Sequence, residues 1–246
     1  MNKLFVGLGA LLLAGIAGYY LYTQKPADVQ QAPAVVAQAD EAAPVADLGE
    51  LMPVLENAAA PASTNKADVP LALTIGSDEM QWGNPNAPVQ IVEYASLTCS
   101  HCGAFHTSTW PELKKSLVDT GKVHFAFRFL PWDNLALAAS KVVACGKGEQ
   151  RNVLLSAFMK TQQQWITAEN PLDALKQTAL VAGMTADEAE ACIADEGIHA
   201  EILKTRDVAT KELGVSATPT FFVNSTKLVG AQPLSAFEAA VADLTK

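Results

Sequence analysis

Cys99-Ser100-His101-Cys102 sets two thiols three positions apart, a spacing that lets them bond to each other or share one exchange partner. Residues 89–94, Val-Gln-Ile-Val-Glu-Tyr, make a β-branched and aromatic run leading into this motif, and residues 103–117 carry apolar side chains at helical spacing. A CxxC between a strand and a helix start has a particular chemical use. The unpaired N–H groups and partial positive charge of the helix N-terminus stabilise a thiolate on the first cysteine. Cys99 is therefore read as the nucleophile and Cys102, one turn deeper, as its protected partner. His101 offers positive charge or a hydrogen bond to the Cys99 thiolate. Stabilising the thiolate of the reduced form makes the disulfide a stronger oxidant. An inert bridge and half of a zinc site are the competing readings. Structural zinc usually takes four protein ligands, and beyond His101 and His106 no second CxxC or HxxxH accompanies the pair, so no metal is expected.

The elements that must position this pair are legible on both sides of it. In residues 123–129, Val123, Phe125, Phe127 and Phe129 alternate with His124, Ala126 and Arg128, which predicts a second strand. Near the C-terminus, Ala217-Thr218-Pro219-Thr220-Phe221 puts a proline at the mouth of a β-forming run, a position where proline is tolerated. Between Pro131 and Leu213 the pattern is helical, with helices expected over 135–146, 151–164, 172–182, 186–194 and 198–213.

Together the strand-CxxC-helix unit, the Ala-Thr-Pro-Thr-Phe segment and the closing strand and helix resemble the DsbA-like thiol:disulfide oxidoreductases of the bacterial periplasm. The resemblance covers roughly residues 73–246. It implies an α/β thioredoxin-like fold with an inserted all-helical domain at about 133–213. It also implies that Pro219 is a cis-proline facing the dithiol, with the Thr218 backbone free to pair with an extended substrate beside Cys99. Glu93, six residues before Cys99, falls where the family keeps a buried acid. Such a carboxylate has a raised pKa and can relay a proton to or from Cys102. Without the resemblance, Glu93 reads as a strand acid paired with Arg128. His106, His124 and His199 read as ordinary packing or surface histidines.

The first seventy residues have another character. Residues 4–21 carry no charge, and a helix of that length spans about 27 Å, close to a bilayer core. Lys3 before it favours export of the chain on its C-terminal side. Residues 1–22 are thus a signal anchor or, alternatively, a signal peptide. Residues 23–72 are rich in Ala, Pro, Val, Gln and acids and read as a disordered linker, with 48–55 a short apolar stretch broken by Pro53. The formal charge of −9, without a basic tract, disfavours nucleic-acid binding. In an exported chain Cys145 and Cys192 are expected to pair as a structural disulfide, with two free thiols or a second redox couple as alternatives. Four cysteines allow three connectivities.

The resulting expectation is a periplasmic oxidase, anchored to the inner membrane if residues 1–22 stay uncleaved. It would introduce disulfides into reduced exported polypeptides and be reoxidised by a DsbB-like membrane quinone reductase, with no cofactor of its own. A periplasmic isomerase or reductase, of the kind linked to copper tolerance, has the same chemistry. A thioredoxin-fold binding or chaperone module with an incidental dithiol is the rival of a different class.

Overall fold

The computed structural model describes residues 69–246. The expected anchor or signal segment at 1–22, the apolar stretch at 48–55 and the expected linker up to residue 68 lie outside the described residues. Among the described residues no helix is long and apolar enough to cross a membrane.

The β-branched run that precedes the cysteines becomes β2 (Val89–Ala95), the central strand of a five-stranded sheet. It pairs in parallel with β3 (Val123–Phe129) and antiparallel with β4 (Thr220–Val223). The edges are β1 (Met80–Trp82), antiparallel to β3, and β5 (Thr226–Val229), antiparallel to β4, giving the order β1-β3-β2-β4-β5. Every residue of β2 is buried, as expected of a central strand covered on both faces. Its polar members are therefore bonded. Gln90 donates from its backbone N–H to the Asn224 side-chain oxygen and from its amide to the Leu73 carbonyl.

One sheet face, with Ile91, Phe125 and Phe221, packs on Phe105 and Leu113 of the post-cysteine helices and on Phe237 and Val241 of α9 (Leu234–Leu244). The other face, with Val92, Tyr94 and Phe222, is covered by Leu73, Ala209 and Val215. The helical run after the cysteines is less regular than its spacing predicted. It passes from α1 (Ser100–Ala104) through a π-helical turn (Phe105–Thr109) into α2 (Trp110–Leu113), then through a second π turn (Lys114–Val118). Pro111 accounts for the first turn, because it has no N–H to continue an α-helical ladder. The hydroxyls of Thr107 and Ser108 donate to the carbonyls of Gly103 and Ala104.

Between β3 and β4 lie α3 (Asn134–Cys145), α4 (Glu149–Lys160), α5 (Gln162–Ile166), α6 (Pro171–Leu180), α7 (Ala186–Ala194) and α8 (Glu196–Asp207). The single helix expected over 151–164 is interrupted at Thr161, which turns away with φ −110° and ψ 17°. Cys145, at the end of α3, is bonded to Cys192 of α7, across a separation of 47 residues. Arg128 fastens the start of the described chain to the sheet. Its guanidinium donates to both Glu79 oxygens at 2.7 and 2.9 Å, to the Tyr94 hydroxyl at 2.8 Å and to the carbonyls of Ala72 and Thr74.

Candidate active site

Cys99 leaves β2 through Ser96-Leu97-Thr98 and becomes the N-cap of α1, with extended backbone (φ −76°, ψ 117°). It is half-buried, whereas Cys102, one turn on, is sealed within the core shared with the helical insert. The two thiols are thus unequal in access before any chemistry begins. Opposite them the Thr218-Pro219 bond is cis. The Thr218 carbonyl lies 3.3 Å from Cys99 Sγ, which donates to it as a thiol.

The electrostatics divide the pair further. The Cys99 thiol is lowered to about 5, first by a hydrogen bond from Cys102 and then by the Thr218 side chain and the backbone N–H groups of Cys102 and His101, against the opposing effect of burial. Cys102 is pushed far up, first by burial, then by the hydrogen bond it gives Cys99 and by the charge of Glu93. These are the two expected causes of thiolate selectivity, donors at a helix start and unequal desolvation. The His101 ring itself is exposed, and its contribution to the thiolate comes from its backbone N–H.

Glu93 is fully buried, on the sheet face of Ile91 and Phe221 that packs on Phe105 and Leu113. Its two oxygens lie 3.1 and 3.0 Å from one atom, His106 Nε2. The expectation that His106 is an ordinary packing histidine is corrected by this contact. It follows Cys102 by four residues, so one helical turn carries it down onto the same buried face. That i,i+4 spacing from the second cysteine was the available signal. Arg128, the alternative partner, is one register position off Glu93, opposite Tyr94.

Two further supports come from the insert. Gln162, at the break between α4 and α5, donates its amide to the carbonyls of Leu97 and Cys99 at 2.8 and 2.9 Å. A Cβ on Gly103 would collide with Gln162 Oε1, so glycine at 103 is what admits this amide. Asp133 accepts from the Thr98 hydroxyl at 2.6 Å and caps α3 through Ala136 N. An Asp before a helix start is the local mark of the cap, but neither the Thr98 contact nor the reach of Gln162 has a local signature. Gln162→Ala strands two carbonyls beneath the dithiol and is expected to lower stability by about 1–3 kcal/mol, measured by urea denaturation of the reduced protein. An unchanged midpoint would show that the amide is dispensable. Among the described residues no group of three His, Cys, Asp or Glu side chains is placed to hold a metal ion.

A central parallel strand pair, a CxxC at a helix start, a facing cis-proline and a helical insert between β3 and β4 define a DsbA-like thioredoxin fold. The chain belongs to the thioredoxin family, whose model matches residues 76–243. It is 30% identical over 152 residues to a Rickettsia bellii protein proposed to be a protein-disulfide oxidoreductase, covering 61% of this chain and 58% of that relative's length. The match thus spans less than two thirds of that relative. It is 27% identical over 150 residues to disulfide bond formation protein D of Bacillus subtilis, covering 58% of this chain and 66% of that one. The structure of Wolbachia pipientis alpha-DsbA1 superposes with a TM-score of 0.65 at 29% identity, over 70% of this chain and 93% of that one.

Proposed function

We propose that the protein is a protein-disulfide oxidoreductase acting as a thiol oxidase on exported polypeptides outside the cytoplasm. The observation that carries the reading is the pairing of a half-exposed Cys99, lowered to about 5, with a sealed Cys102 that is pushed up. A client thiolate attacks Cys99 of the disulfide, forming a mixed disulfide as Cys102 leaves. A second client thiolate then attacks the client sulfur, the client disulfide forms, and Cys99 leaves as the stabilised thiolate. Two electrons pass from client to protein, and the sulfurs carry them without a cofactor. In this scheme Glu93 supplies the proton that Cys102 needs on leaving, and Thr218 and Pro219 hold the client backbone beside Cys99. His101 serves through the N–H it contributes at the helix start.

The second disulfide supports an oxidising compartment, where such bonds persist. Reoxidation falls to a DsbB-like membrane quinone reductase, and an uncleaved residue 1–22 anchor would raise the effective concentration of the two at the inner membrane. The reduction potential of the Cys99/Cys102 couple tests the direction of flow. A value near about −120 mV together with rapid oxidation of a reduced peptide is the expected result. A value near about −270 mV, or efficient refolding of scrambled ribonuclease with weak peptide oxidation, would replace the oxidase by a reductase or an isomerase.

A further inference from the structure

The proton that Glu93 delivers must itself be replaced, and Glu93 has no contact with solvent: its side chain is fully enclosed. Both of its oxygens converge on His106 Nε2, so the ring is its way out. His106 is pinned by Phe105, Trp110 and Phe127, with ring centroids 5.4, 6.2 and 5.6 Å away. It also lines a cleft of about 410 Å³ between the post-cysteine helices and α4, together with Trp82, Lys114, Asn152 and Ser156. Neither Cys99 nor Thr218 lines this cleft, so a client held beside Cys99 leaves it clear.

We propose that Glu93 and His106 form a two-member proton relay connecting Cys102 to solvent in this cleft, with His106 as the positioning residue that reloads Glu93. The inference rests on the exchange reading of the dithiol. When a thiolate attacks Cys99, the Cys99–Cys102 bond breaks and Cys102 leaves with the electron pair into an apolar core that disfavours its charge. Glu93 gives Cys102 its proton, His106 passes a proton to the Glu93 carboxylate, and water in the cleft reprotonates His106. In the reverse direction each proton retraces the route. No redox equivalent is consumed by the relay. The charged and titratable groups facing His106 are Glu93 from β2, Lys114 from its own helical run and Glu149 from α4, the last two across the cleft.

The test is single-turnover reaction of the oxidised full-length protein with reduced glutathione between pH 5 and 8, comparing wild type with His106→Gln. Glutamine retains a donor for Glu93 and cannot titrate. The release of Cys102 is expected to slow about 10²-fold at pH 7 and, once the rate is divided by the thiolate fraction of glutathione, to lose the pH dependence that remains, while Cys99 of the reduced variant still titrates near 5. A wild-type rate and profile in folded His106→Gln protein would overturn the relay. Ser156→Trp fills the cleft from α4 while leaving Glu93 and His106 in place. It is expected to slow the same step, and it decides the question if His106→Gln does not fold; an unchanged rate there would equally overturn the relay. Glutathione exchange needs only an accessible disulfide. Rapid wild-type exchange without oxidation of a reduced peptide would therefore count against the oxidase direction and not against the relay.

Discussion

Cys99→Ala is expected to reduce peptide oxidation to the uncatalysed rate, and the surviving Cys102 is expected to resist alkylation in the folded protein. The reason is the division of labour between the sulfurs. Cys102 is sealed in the core and its thiolate is disfavoured first by burial, so it cannot substitute as the attacked or attacking atom. If Cys99→Ala protein still oxidised a dithiol peptide, the dithiol would be incidental, as a binding or chaperone module requires.

In the wild-type reduced protein, iodoacetamide should react with Cys99 at a rate that rises with pH to half its plateau near pH 5. Cys102→Ala removes the first cause of that depression, so its midpoint should move upward. The same shift makes stability depend on pH. Cys99 is an acid whose folded value lies below its unfolded one, so its contribution to the reduced form is complete above pH 9.0, declines as pH falls, and is gone below about 5. At pH 7 it amounts to about 2 kcal/mol after allowing for solvent screening of a half-exposed group. That corresponds to roughly 40 mV toward a more oxidising couple. Urea denaturation of the reduced and oxidised forms from pH 5 to 9 should show the reduced form gaining on the oxidised one. A constant difference would remove the thiolate as the source of oxidising power.

The second large effect concerns the distant disulfide. Replacing both Cys145 and Cys192 by alanine is expected to cost about 4 kcal/mol, since the bond closes a loop across 47 residues of the unfolded chain. That loss is a large part of the total stability of an ordinary domain, about 5–15 kcal/mol. Because Cys145 ends α3 and Cys192 lies in α7, the loss should fall on the helical insert first, and with it on the Gln162 contact beneath Cys99. Urea midpoints of the double variant and wild type, with the active-site pair reduced in both, measure it. A change under about 1 kcal/mol would mean that helix packing alone holds the insert together.

The parts of this molecule that were legible were those written in local pattern. β2 and β3 announce themselves by β-branched and aromatic runs, and the thiol motif by its place between strand and helix. β1 was missed because three residues, Met80–Trp82, are too few to display a period. The break at Thr161 was missed because the helical spacing continues through it while the chain turns to deliver Gln162 to the Leu97 and Cys99 carbonyls.

By itself the sequence determined that two cysteines stand at a helix start, which is enough to make the first of them a candidate thiolate, and that a Thr-Pro precedes the strand that ends up facing it. Only the tertiary structure decided what lies underneath. Glu93 meets His106 rather than Arg128, Gly103 yields its volume to Gln162, and Cys102 is sealed while Cys99 is not. Helix and strand periods fix which face a residue takes. Which partner waits on that face depends on how elements distant in sequence pack, and the desolvation that separates the two thiols exists only once they have packed.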